Sequence, residues 1–143
     1  MPPLIFPQES TADALAKLID QALTLRMYSN NHTPQVTDTI GSYVEVTGGG
    51  YASQALNSAQ WAIAEGSPSV ATYNTFLDFV FTSVPPNPQV YGYYITNADG
   101  LLLLAEEFNP SDIPFTIITG GQTIQIRPRF GADNLVVGPI EIV

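Results

Sequence analysis

Val90-Tyr-Gly-Tyr-Tyr-Ile-Thr-Asn97-Ala-Asp-Gly100-Leu-Leu-Leu-Leu-Ala-Glu-Glu-Phe108 reads as two extended runs joined by a tight turn. Tyrosine and β-branched residues fill the first run, and an apolar block fills the second. Asp99-Gly100 lies between them, and glycine there accepts the positive φ that a two-strand reversal needs. An antiparallel hairpin is therefore the predicted centre of the fold.

Outward from this hairpin the period-two pattern continues. Tyr73–Thr82 reads as one strand, with Leu77, Phe79 and Phe81 on one face and Phe76, Asp78 and Val80 on the other. Pro85-Pro86-Asn87-Pro88 ends it. After the turn Asn109-Pro110-Ser111-Asp112, Phe115–Ile118 and Thr123–Phe130 flank Gly120-Gly121 and read as a second hairpin, with Ile124 and Ile126 on one face. Leu135–Val137 and Ile140–Val143 close the chain with apolar, β-prone residues.

On the N-terminal side, Ser42–Thr47 reads as a short strand stopped by Gly48-Gly49-Gly50. Tyr51–Leu56 and Trp61–Ala64 are two further short runs. Leu23, Leu25 and Met27 alternate with polar residues and predict a strand that enters a loop at Ser29–Pro34. Before Leu23 the period is helical: Leu15, Leu18, Ile19 and Ala22 form one stripe. Ser10 is the expected N-cap and Asp13 suits the first turn, which predicts a helix over 10–22. Residues 1–9 hold Pro2, Pro3 and Pro7 around Leu4, Ile5 and Phe6, and proline keeps such a segment extended. The expected organisation is an extended arm over 1–9 and one domain over 10–143. Its fold class is mainly β, an antiparallel β-sandwich or jelly-roll-like domain with one N-terminal helix.

Composition narrows the function. Charged residues make up 12% of the chain and hydrophobic residues 45%, so much neutral surface is expected, with some of it covered by other subunits. Thirteen carboxylates face only Lys17, Arg26, Arg127 and Arg129, for a net charge of −9. Four cations do not make the basic surface that nucleic acid or an anionic membrane requires, so neither is an expected partner. Met1–Pro7 has neither the basic start nor the long apolar core of a secretion signal. Without cysteine there is no thiol chemistry and no disulfide.

The chemistry-bearing residues do not assemble into a catalytic motif. Gly48–Gly50 is not followed by the Lys-Ser/Thr of a phosphate-binding loop. His32, the sole histidine, stands in an Asn/Thr/Pro loop without a nucleophile motif around it, so its expected role is structural. Glu106 and Glu107 are adjacent, and successive strand residues point to opposite faces, so they do not converge as a glycosidase pair. Asn97 and Asp99 fit turn chemistry better than calcium ligation. No catalytic residue, metal or cofactor is expected. Tyr91, Tyr93 and Tyr94, with Tyr43, Tyr51, Trp61 and Tyr73, fit either a sugar-binding face or a subunit contact.

One order of motifs carries a resemblance. A helix is followed by a strand ending in Asn30-Asn31 and Thr33-Pro34, then by Gly50-Tyr51-Ala52. Phe79-Val80-Phe81-Thr82, Val90–Ile95, the Asp99-Gly100 turn, Leu103–Phe108 and Gly121-Gln122-Thr123-Ile124 before Arg127-Pro128 come after. Over roughly residues 11–130 this resembles small virion proteins of tailed bacteriophages, among capsid decoration (cement) and tail-associated proteins. The resemblance implies a structural protein without catalytic residues, a homotrimer bound to the major capsid protein on the outside of the virion capsid. The alternative it leaves open is a tail or fibre module that binds a host glycan. The expected protein contacts are Leu4, Ile5 and Phe6 of the arm and Tyr91, Tyr93 and Tyr94 of the hairpin.

Overall fold

A computed structural model of the chain describes residues 5–109, 111 and 113–132. Leu4 and the expected strands at Leu135–Val137 and Ile140–Val143 lie outside the described residues. The elements are α1 (Gln8–Ile19), β1 (Leu23–Tyr28), β2 (Gln54–Leu56), β3 (Trp61–Ala64), β4 (Ser69–Tyr73), β5 (Leu77–Phe81), β6 (Gln89–Val90), β7 (Gly92–Asn97), β8 (Leu102–Glu107), β9 (Phe115–Thr116), β10 (Gln122–Ile126) and β11 (Arg129–Ala132). Strand takes 38% of the chain and helix 14%, and every pairing is antiparallel, so the fold is mainly β and sandwich-like, with one N-terminal α-helix.

The chain forms two compact units. Among the described residues the first comprises 5–21, 58–76 and 127–132. Its sheet has the order β11-β4-β3, and α1 packs on it through Thr11, Leu15 and Ile19. Thr11 Oγ1 lies 2.9 Å from Ser69 Oγ, and the Ser69 hydroxyl also reaches the Gln8 carbonyl at 3.2 Å. Buried hydroxyls that satisfy one another in this way avoid the cost of unpaired polar groups. Trp61 meets Tyr73 and Phe130 edge-on, with centroids 5.1 and 5.3 Å apart.

The helix starts earlier than its sequence predicts. Ser10 is not the cap. Pro7, at φ −63°, offers its carbonyl to the Ser10 and Thr11 N–H groups at 2.9 and 3.1 Å. Proline fixes the entry conformation and supplies the acceptor, so no side-chain cap is needed. The helix ends at Ile19 because Asp20 leaves helical geometry, and Ala22 is exposed rather than part of the stripe.

The second unit comprises residues 22–57 and 77–126. Its main sheet has the order β2-β1-β7-β8, beside the pairs β10-β5 and β6-β9. Leu23, Leu25 and Met27 are buried as their alternation predicts, and so are Phe79, Phe81, Ile124 and Ile126. Tyr51 links the main sheet to β5. Its ring stacks on Phe79 and Phe81 at 6.0 and 6.3 Å, and its hydroxyl accepts the Met27 N–H at 3.0 Å. The β7-β8 hairpin forms where the sequence places it. Gly100 has φ 78°, and Asn97 Oδ1 accepts the Asp99 and Leu101 N–H groups.

Four expected strands are redrawn. Tyr73–Thr82 is not continuous: β4 ends at Tyr73, β5 begins at Leu77, and Asn74 N–H turns to the Gln60 carbonyl. The apolar alternation runs through this point, but the ladder partners change. Ser42–Thr47 is a 3-10 turn at Ile40–Ser42 followed by a single bridge, Tyr28 to Glu45. Ser29 N–H to Val44 O and Val46 N–H to Met27 O flank this bridge, and the Asn30 side chain extends the contact, donating to Ser42 O and accepting from Val44 N–H. Phe115–Ile118 and Thr123–Phe130 do not pair with each other. Phe115–Thr116 pairs with β6, and β10 pairs with β5. The Gln122 side chain accepts the Ile118 and Thr119 N–H groups, and Gly121 N–H donates to Phe81 O, which delivers the chain to β5.

Candidate protein interface

Leu101–Ala105 is five apolar residues in succession, a pattern that suits a strand buried on both faces. The structure instead puts it at a sheet edge. β8 pairs with β7 on one side, and among the described residues no strand pairs with its other side. Leu101 is 60% exposed and Leu102–Ala105 are half-buried.

The pairing fixes which backbone groups face away from β7. Phe108 N–H donates to Tyr91 O, toward β7. Backbone direction alternates along a strand, so the N–H and C=O of Ala105 and Glu107 point away from β7. The register slips between Ile95 and Thr96, where Leu104 opposes Ile95 and Leu102 opposes Thr96. Leu103 is therefore the extra residue of a bulge, a device that bends an edge.

A groove of about 470 Å³ runs beside this strand, between Leu102–Ala105 and Pro34, Gln35, Val36, Asp38 and Tyr43 of the 29–43 loop. Tyr28, Tyr43 and Tyr94 form a buried cluster behind it, with Leu102 and Ala105 packed against the rings. Tyr43 stacks on Tyr94 at 5.0 Å and meets Tyr28 edge-on at 4.9 Å. Val36 stands at the lip, 90% exposed. A second groove, of about 310 Å³, lies at the end of the same strand, lined by Glu106, Phe108, Asn109, Phe115, Ile124 and Gln125.

The loop wall is held by hydrogen bonds rather than by regular structure. Asp38 Oδ2 accepts from the Tyr43 hydroxyl at 2.6 Å and from Gln35 N–H at 2.9 Å, and lies 2.8 Å from His32 Nε2. The Tyr43 hydroxyl, with these other donors, draws the Asp38 pKa from 3.8 down to about 2. Tyr28 donates to the His32 carbonyl, and Thr33 donates to Glu107 on β8. His32 thus pins a loop. Burial pushes the hydroxyls of Tyr28, Tyr43, Tyr51 and Tyr93 well above the usual tyrosine range, and that of Tyr94 up to about 12, so these phenols stay neutral.

The predicted contact residues separate. Tyr93 and Tyr94 are 4% and 3% exposed and belong to the core. Tyr91 is half-buried and donates to Gln89. Tyr43, Trp61 and Tyr73 are buried and Tyr51 is half-buried, so these rings do not make an exposed sugar-binding face. Ile5 is 61% exposed and Phe6 half-buried. Glu106 and Glu107 face different partners, Tyr93 and Thr33. Among the described residues no three His, Cys, Asp or Glu side chains gather as metal ligands, and no helix is long and apolar enough to cross a membrane.

Sequence reasoning missed the Pro34–Asp38 wall and the open edge. The leucine run was the available signal: a hairpin strand with one wet face would alternate, and this one does not. Compared with models of protein families, with curated proteins and with solved structures, the chain matches none.

Proposed function

We propose that this protein is a non-catalytic assembly component of a bacteriophage virion, a capsid decoration protein that docks on the major capsid protein at the outer surface and stabilises the shell. The observation that supports docking is the β8 edge: backbone groups that no strand pairs with among the described residues, the exposed Leu101 next to half-buried leucines, and a groove along the strand. An edge of this kind is a liability in a protein that works alone, and an apolar groove beside unpaired backbone is a recurring way to hold another chain. The order of motifs over residues 11–130 supports the virion setting and the homotrimer. The exposed Ile5 supports a contact role for the N-terminal arm.

The test is to add the purified chain to capsids that lack it and to image them. Density at regular positions on the head lattice is the expected result. Density confined to the tail, or none on the particle, overturns the decoration reading.

A further inference from the structure

Resting on the reading that β8 is the docking edge, we propose its occupant: an extended segment of another protein that adds to β8 as a fifth strand, apolar in its middle and carrying lysine or arginine at its ends.

The geometry of the edge sets the first half of this description. Ala105 and Glu107 direct N–H and C=O outward, so a strand laid beside them gains main-chain hydrogen bonds independent of its sequence. The half-buried Leu102 and Ala105 face the groove walled by Val36 and Pro34, which gives alternate side chains of the added strand an apolar seat. The bulge at Leu103 bends the preceding stretch, so the straight part from Leu104 to Glu107 is where pairing begins.

Charge sets the second half. Carboxylates stand at both ends of the strand: Asp99 at the hairpin tip, and Glu106 and Glu107 at the far end. None of the ion pairs among the described residues includes them. Lys17 pairs with Asp13 and Arg26 with Glu45. A cation on the incoming strand would meet carboxylates that lack one. A second copy of this chain would bring the same acidic ends and a net charge of −9, and like charges across a contact select against a partner. The occupant is therefore a different protein rather than a second copy.

The probe is a synthetic nonapeptide of alternating valine and threonine with a lysine at each end, titrated into the full chain by fluorescence anisotropy. Saturable binding is expected, and replacing both lysines by glutamates should weaken it roughly tenfold. N-methylation of alternate peptide amides should abolish binding, because it removes main-chain donors and keeps the side chains. Ala105→Pro should abolish binding with an unchanged circular dichroism spectrum, since the lost N–H faces away from β7. Paired Glu106→Lys and Glu107→Lys substitutions should reverse the preference in favour of the glutamate peptide.

Equal binding of methylated and unmethylated peptides overturns strand addition, and the peptide comparison does not depend on any variant folding. Equal binding of lysine and glutamate peptides overturns the charge assignment. Concentration-dependent self-association lost in Ala105→Pro would assign the edge to a second copy and overturn the hetero-partner. Capsid binding that survives Ala105→Pro overturns this inference alone, whereas peptide binding without capsid binding overturns the decoration reading alone.

Discussion

Tyr51→Phe tests how the second unit joins its layers. Along β1, the partner strand β2 reaches only to Leu25, paired with Gln54. Beyond that point the outward side of Met27 has no ladder neighbour in β2. Its carbonyl accepts from Val46 N–H, and its N–H is taken by the Tyr51 hydroxyl at 3.0 Å. The same hydroxyl donates to Glu45 Oε2 at 2.7 Å. Phenylalanine keeps the ring on Phe79 and Phe81 and removes only the oxygen. Met27 is fully buried, so its N–H is left without a partner, which costs about 1–3 kcal/mol. Glu45 keeps Arg26 at 3.0 Å and is partly solvated, so its lost bond adds about 1 kcal/mol. The expected total is about 2–4 kcal/mol, read as a lower urea midpoint at unchanged slope. Tyr91→Phe is the control: its hydroxyl meets an exposed Gln89, and the expected change is under about 0.5 kcal/mol. A Tyr51→Phe loss no larger than that of the control would refute the claim that this hydroxyl substitutes for a missing strand.

Glycines at positive φ should divide by surroundings. Gly100 has open space where a Cβ would stand, so Gly100→Ala should cost only backbone strain, about 1–2 kcal/mol in thermal melts. Gly49→Ala adds a clash with Ser83 O and Pro85, and should lose at least about 1 kcal/mol more by overpacking; equal losses would contradict that packing. The lowered pKa of Asp38 means its contribution is fully present above its ordinary 3.8 and disappears as pH falls through about 2. Tyr43→Phe removes the principal cause and should move the carboxyl midpoint, followed by NMR, back up toward 3.8. Removing residues 1–5 leaves Pro7 to receive the Ser10 and Thr11 N–H groups, so circular dichroism should be unchanged while occupancy on capsids falls.

Much of the architecture follows from local sequence. Alternation at Leu23, Leu25 and Met27 determines β1, because one buried face enforces period two. Asp99-Gly100 determines the hairpin turn, because few residues accept its geometry. The polar, proline-containing stretch after Ser29 determines a loop. Partner choice is another matter. Ladder hydrogen bonds are the same for any strand, so sequence gave no sign that β10 would join β5 rather than the segment just before it, or that the run through Asn74 would serve two sheets. Tyr93 and Tyr94 suit a half-exposed strand as well as a core; only the arrival of Tyr28 and Tyr43 over Tyr94, and of β1 beside β7, buries them. The candidate interface depends on topology in the same way. The leucines of β8 are visible in the chain, but their place at an edge, and the wall that Asp38 and Tyr43 hold beside them, arise from contacts between residues up to about seventy positions apart, which only the folded structure brings together.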